Sequence, residues 1–328
     1  MQAPADFLRQ HLELPTRLIR AESLSRDGHA VWLKLESELP TGSFKVRGAS
    51  YALAIRMEQG PVREVVAAST GNHGAAVAWA AKTLGTGARI FVPHGANPAK
   101  TGKIQALGAA LTEAGTTLTH AIRAAEEYAS KSDAFLLADA GDGDVPVGAG
   151  TLGTEIVRQL PDVDVIYTGV GDTALIRGVA RAAKTIKPAV RFVGVQAEEA
   201  PAYFRSWKSG RVERTETADT IADGLATTDP LQLNVDAIRE LVDDMQLVSE
   251  QELLDAIALV LKEERLVIEP AAASTVAAIR SVPPVGANVV LVISGGNIAP
   301  DVLDRARRLI PRQPTAPSSQ SAQPDQDL

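Results

Sequence analysis

Along the 328 residues of this chain, short β-branched apolar runs alternate with stretches whose apolar positions recur every three to four residues. The first pattern predicts strands and the second helices. Residues 1–30 read as a short helix, the segment Leu14-Pro15-Thr16-Arg17-Leu18 and a polar turn. Val31-Trp32-Leu33-Lys34-Leu35-Glu36 predicts a strand, and Pro40-Thr41-Gly42 a turn, with Ser43 as N-cap of a helix running to about Glu58. Strands then follow at 64–68, 88–92, 109–112 and 135–138, separated by helices at 74–84, 99–107 and 117–130. After the Gly- and Asp-rich run from Asp139 to Asp144 the alternation resumes, with helices at 150–160 and 173–184 and strands at 163–167 and 190–196. A polar excursion at 200–228, a helix at 250–264, a strand at 289–293 and a helix at 299–309 complete the pattern.

Strands separated by helices imply parallel pairing through right-handed crossovers, so the fold class is α/β. The four strands between residues 64 and 138 make a compact unit, and the run from Asp139 to Asp144 is the crossing point. This divides the chain into a larger domain, 1–53 with 141–311, and a smaller one, 54–140. From residue 312 the sequence is polar, Pro-containing and of low complexity, which predicts a disordered tail over 312–328. It leaves no room for an appended effector-binding domain.

Composition narrows the function classes. A net charge of −7 without a basic stripe argues against nucleic acid and anionic membranes. No apolar run approaches the ~20 residues of a bilayer span, and the N-terminus lacks a signal-peptide pattern. The absence of cysteine removes disulfides, thiolate metal sites and cysteine nucleophiles. Together with an apolar fraction of 45%, these predict a cytoplasmic globular enzyme.

Four turns, each after a predicted strand, carry candidate chemistry. In the first, Lys45 lies in the opening turn of a helix, where unpaired N–H groups and the positive dipole end favour a neutral, nucleophilic amine. Such an amine can form a Schiff base, although a solvated lysine beside a cap looks the same from this segment alone. Arg47, two residues on, faces another side of the helix. The second turn, Ser69-Thr70-Gly71-Asn72-His73-Gly74, presents N–H groups and hydroxyls at a helix start, suiting either a carboxylate or an ordinary capped connection. The third, Gly169-Val170-Gly171-Asp172-Thr173, is a glycine turn opening a helix, as a phosphate cradle requires. The fourth is Ser294-Gly295-Gly296-Asn297. Open α/β sheets bind ligands at the carboxyl ends of their strands, so the four turns are expected to cluster.

Ser43-Phe44-Lys45-Val46-Arg47-Gly48-Ala49 resembles the Ser-Phe-Lys-x-Arg-Gly-Ala signature of the fold-type II pyridoxal-phosphate enzymes, in the threonine/serine dehydratase and serine racemase branch. The other three turns, and Gly148-Ala149-Gly150-Thr151, Thr220-Ile221-Ala222-Asp223-Gly224-Leu225 and Ile268-Glu269-Pro270, also resemble dehydratase segments. The resemblance runs from about Leu14 to Leu309. It implies a two-domain, tryptophan synthase β-like architecture, each domain an open, mostly parallel sheet flanked by helices. It further implies that Lys45 carries pyridoxal 5′-phosphate covalently and that Phe44, Asn72, Gly169, Val170, Gly171, Asp172, Thr173 and Ser294 contact it. Ser69, Thr70, Asn72 and His73 would grip the substrate carboxylate.

Three departures from the family pattern matter. Val170 and Asp172 interrupt a run that is commonly four glycines, so Asp172 is expected to turn away from the phosphate and cap the helix, with Thr173 adding a hydroxyl. Racemases of the branch present a serine as a second acid/base where this chain has Thr70, which makes Thr70 a catalytic candidate beside Lys45 while its bulkier, stiffer side chain argues against two-faced proton transfer. Lastly, Gln196 and Ala202 stand where relatives bind a structural cation, so no metal is expected there, although Glu198 and Glu199 lie close by. The implied activity is elimination from a 3-hydroxy amino acid such as L-threonine or L-serine to a 2-oxo acid and ammonia, in a homodimer. The alternatives are an amino-acid racemase on the same fold, a β-replacement synthase, or a non-catalytic binding protein.

Overall fold

The computed structural model describes residues 3–26, 28–139 and 141–311, so the tail expected at 312–328 lies outside the described residues. In chain order the strands are β1 Leu18–Arg20, β2 Ala30–Leu35, β3 Glu64–Ala68, β4 Gly87–Val92, β5 Ala110–Glu113, β6 Phe135–Leu136, β7 Val165–Gly169, β8 Arg191–Ala197, β9 Asp244–Val248 and β10 Asn288–Ile293. The helices are α1 Pro4–Arg9, α2 Lys45–Glu58, α3 Asn72–Leu84, α4 Pro98–Ala106, α5 Leu118–Ser132, α6 Asp144–Gln159, α7 Ala174–Ile186, α8 Ala202–Ser209, α9 Gln232–Leu241, α10 Glu250–Leu259, α11 Pro270–Ser281 and α12 Pro300–Arg308.

The strands form two sheets, ordered β1-β2-β10-β7-β8-β9 and β5-β4-β3-β6. Every pairing is parallel except β1 with β2. Residues of β10 show why its sequence is uniformly apolar. Val289, Leu291 and Ile293 face a core shared with α10 and α11, while Val290 and Val292 face the core beneath α6 and α7. In the smaller sheet, Val65 and Ala67 pack toward α2 and α3, and Val66 toward Ala121 and Ala125 of α5.

Several elements differ from the sequence pattern. The N-cap of α2 is Phe44, not Ser43, and the buried Ser43 hydroxyl has no hydrogen-bond partner among the described residues. Ser43 instead forms a bridge to Gly295, with Phe44 N–H donating to the Ser294 carbonyl at 3.0 Å and Gly296 N–H to the Gly42 carbonyl at 3.0 Å. Pairing across the two turns overrides local capping. Helix α6 begins at Asp144, well before Gly150, because its glycines are tolerated where helices meet closely: a Cβ on Gly148 would lie 2.5 Å from the Arg47 carbonyl. The 200–228 excursion contains α8, and β1, α9, β9 and α11 have no counterpart in the sequence pattern. The helix read as 250–264 is α-helical only to Leu259 and closes with a wider turn over Val260–Glu264.

Arg47 is wholly buried. Its guanidinium donates to Glu36 at 2.7 and 2.9 Å, to Glu155 at 2.7 and 3.0 Å, and to the Thr151 hydroxyl at 3.0 Å. Lys34, equally buried, donates to Glu155 at 2.7 Å. Burial opposes the Arg47 charge, but the two carboxylates outweigh it and hold the pKa above the ordinary arginine value. The two cations and two carboxylates therefore tie β2, the turn after it, α2 and α6 together.

Two stability outcomes follow. Arg47→Met removes the cation shared by two buried carboxylates, leaving Glu36 without a counter-charge in contact, and is expected to cost about 3–5 kcal/mol in denaturant unfolding, with Arg47→Met/Glu155→Gln losing less than the sum of the single changes; a cost under about 1 kcal/mol would refute the bridging role. A Cβ on Gly178 would sit 2.1 Å from the Pro146 carbonyl at the α6–α7 crossing. Gly178→Ala should then lower stability by about 1–3 kcal/mol, and an unchanged unfolding midpoint would contradict so close an approach.

Candidate active site

Lys45, the first residue of α2, is placed beside Ser294 by the backbone pairing of residues 42–44 with 294–296. Phe44, Lys45, Asn72, Gly169, Gly171, Asp172, Thr173 and Ser294 line one cleft, joined by Gly224, Leu225, Glu269 and Ala271. The four turns found in the sequence do meet, at the carboxyl ends of β3, β7 and β10 and in the segment after β2.

The turn after β7 suits an oxyanion. A Cβ on Gly171 would lie 2.2 Å from the Gly224 carbonyl, so only glycine fits there. Thr173, the N-cap of α7, has φ 67°, a costly conformation for a β-branched residue, and its buried hydroxyl has no partner among the described residues. With the unpaired first N–H groups of α7, these features fit the phosphate of pyridoxal phosphate, as Lys45 fits its aldehyde. Val170 is not part of that lining. It is buried in the core beneath α7, and its N–H donates to the Val195 carbonyl at 2.8 Å. Asp172 does not cap α7; its carboxylate accepts from Thr227 at 3.2 Å. Desolvation, with Asp139 nearby, pushes its pKa up, which lessens its conflict with an anion.

The turn after β3 is only partly directed at the cleft. Asn72 donates to both oxygens of Glu269 at 3.0 Å and accepts from Asn297 at 2.7 Å. Ser69 accepts from the Gly71 N–H at 3.1 Å, and Thr70 lies outside the residues that line the cleft. His73 is buried, with Nε2 at 2.9 Å from the Leu137 carbonyl, so what it can offer a ligand is its N–H at the start of α3.

A neutral Lys45 is what the helix start alone predicts, and the structure corrects this. Lys45 is ion-paired with Asp139, just beyond β6. Burial lowers the lysine pKa, but Asp139, helped by Asp172 and Glu269, raises it above the usual value. A carboxylate in contact outweighs the partial charge of a helix end. Asp139, Glu269 and Asn297 fall within segments that the sequence marks, but sequence reasoning gave none of them a role in the site. Asp139 had a usable signal, as the first polar residue after a predicted strand; Glu269 acquires its place only through α11. Burial raises the Glu269 pKa, moderated by its bonds from Asn72 and Asn297.

Gln196 is also committed elsewhere, accepting from the Phe204 N–H at 2.7 Å. No cluster of three or more metal-binding side chains occurs among the described residues, nor any helix long and apolar enough to cross a membrane.

The chain is 40% identical over 279 residues to the L-threonine ammonia-lyase of Thermotoga maritima, covering 85% of this chain and 70% of that one. Among solved structures, it superposes on the processed form of threonine deaminase isoform 2 from Solanum lycopersicum with a TM-score of 0.84 at 31% identity, covering 89% and 82% of the two chains. Maize serine racemase aligns with a TM-score of 0.85 at 27% identity, covering 92% and 94%. Residues 10–295 match the family described as pyridoxal-phosphate dependent enzyme. Since that match spans nearly all of the folded length, the chain belongs to the pyridoxal-phosphate-dependent enzyme family.

Proposed function

We propose that the protein is an ammonia-lyase that converts a 3-hydroxy amino acid, L-threonine or L-serine, to the corresponding 2-oxo acid and ammonia. The observation that carries this is the placement of one lysine, Lys45, in a cleft with an anion-binding turn and the start of α3. The named relatives support threonine as substrate. Serine rests on its smaller size in the same chemistry.

Lys45 would carry pyridoxal phosphate; Gly169, Gly171 and Thr173, with Asp172 turned to Thr227, would hold its phosphate by backbone and hydroxyl, while Val170 stays in the core. Phe44 and Asn72 would border the ring, and the Ser294 hydroxyl would face the ring nitrogen without enforcing its protonation. When bound, the cofactor supplies an electron sink for the pair left on the substrate α-carbon. The chain supplies the rest. Ser69, Thr70, Asn72 and His73, at the start of α3, would orient the substrate carboxylate, with N–H groups as the natural donors. The Lys45 amine, released when the substrate amine takes its place, would remove the α-proton and hand it to the departing 3-hydroxyl, which leaves as water. The freed enamine hydrolyses to 2-oxo acid and ammonia.

Racemisation needs a second acid/base facing Lys45. Thr70 lies outside the cleft lining, which favours elimination over a racemase. The split into 1–53 with 141–311 and 54–140, a homodimeric state and a cytoplasmic location belong to the same reading.

Release of 2-oxo acid from a panel of 3-hydroxy amino acids, with cofactor supplied, tests the function; no release from threonine or serine would refute it. Lys45→Ala should abolish both turnover and the borohydride-trapped cofactor label, and a label mapped to another residue would refute the assignment of Lys45. Gly171→Ala should weaken cofactor affinity by about tenfold or more, read by absorbance titration, because its Cβ collides with the Gly224 carbonyl. An unchanged affinity would remove the turn after β7 from the phosphate site.

A further inference from the structure

Asp139 reaches the cleft from the segment that leaves the smaller sheet after β6. One of its oxygens accepts from Lys45 Nζ, and the other lies 3.6 Å from His73 Nδ1. His73 Nε2 faces the Leu137 carbonyl at 2.9 Å, and a carbonyl can only accept, so Nε2 carries the hydrogen. The ring is thereby held in place two residues from the carboxylate it approaches. The remaining carboxylates that act on Lys45 are bonded elsewhere: Asp172 to Thr227, and Glu269 to Asn72 and the Asn297 N–H. From α7, Arg177 adds its positive field to Asp139. Asp139 is thus the carboxylate directed at the Lys45 nitrogen.

Building on the lyase reading, we propose that Asp139 is a positioning residue that holds the Lys45 side chain at the substrate α-carbon and stabilises the ammonium formed when Lys45 removes the α-proton. In that step the Cα–H bond breaks, an N–H bond forms on Nζ, and the electron pair stays with the carbon and its cofactor sink. Asp139 takes no proton. It favours the transfer because the charge appears on Lys45 where a carboxylate already waits, in a desolvated site where the pairing is strong. The same pairing has a cost. A free Lys45 held as ammonium is a weaker nucleophile, so attachment of the cofactor should quicken as pH rises.

The test compares wild type, Asp139→Asn and Asp139→Glu as full-length chains, with folding checked by circular dichroism. Lys45 acetylation by acetic anhydride, mapped by mass spectrometry across pH on cofactor-freed protein, reports the charge on the amine without any turnover. The wild-type profile should lie above that of an ordinary lysine. Asp139→Asn should move it to lower pH by about one pH unit or more, and Asp139→Glu should largely restore it. In the loaded enzyme, Asp139→Asn should reduce kcat for L-threonine by about tenfold or more with KM little changed, and Asp139→Glu should recover part of the loss. An unmoved labelling profile in folded Asp139→Asn, or an unchanged kcat, overturns the inference. A displaced profile in a protein that releases no oxo acid from any 3-hydroxy amino acid would instead overturn the lyase reading, leaving the Lys45–Asp139 pairing intact.

Discussion

The guanidinium of Arg47, wholly enclosed between Glu36 and Glu155, is the constraint on which the placement of everything else near the cleft depends. Two cations and two carboxylates without water are tolerable only if every one keeps its partners, which makes the arrangement brittle and therefore specific. Each member comes from a different piece of chain: Lys34 from β2, Glu36 from the turn after it, Arg47 from α2 and Glu155 from α6. Satisfying all of them leaves one position for the start of α2. Lys45, one residue into that helix, is positioned as a by-product of the charge balance behind it.

On the cleft side, a set of polar contacts also joins the two sheets. Asn72 of α3 bonds to Glu269, and Asn297 bonds to both Asn72 and the Thr41 carbonyl. Lys103 of α4 reaches the Thr41 carbonyl at 3.1 Å and Asn297 at 2.5 Å. Hydrogen bonds of this kind exchange with water at little net cost, in contrast to the packed faces of β10.

The charge in the cleft follows from the same geometry. Asp139, Asp172 and Glu269 surround one ammonium, and burial acts on each of them to favour the neutral form. The outcomes differ because the partners differ. Contact with Lys45 keeps the Asp139 pKa below the usual carboxylate value, whereas Asp172 and Glu269, bonded to neutral groups, have theirs raised. One carboxylate is ionised for pairing while two are eased toward neutrality, an arrangement that lets a further anion approach the turn after β7.

Period and punctuation alone were enough to read the alternation of strands and helices and the glycine turn at Gly169–Thr173, whereas Lys45 stood out only through the resemblance of its segment to a family signature. Those signals are local: a buried parallel strand needs an apolar run on both faces, and an oxyanion turn needs glycine whatever surrounds it. The short β1, helix α8 within the 200–228 excursion and the early start of α6 were not legible, since each is stabilised by contacts far away in sequence. The same holds for the charges. A helix start argues for a neutral lysine, but whether Lys45 is neutral depends on which carboxylate the crossing segment delivers, and Asp139 is 94 residues away. Ser43 looks like a cap until the turn at Gly295 pairs with it. Nearest-neighbour preferences amount to fractions of a kcal/mol up to about one, and buried pairing across the fold exceeds them wherever the two compete.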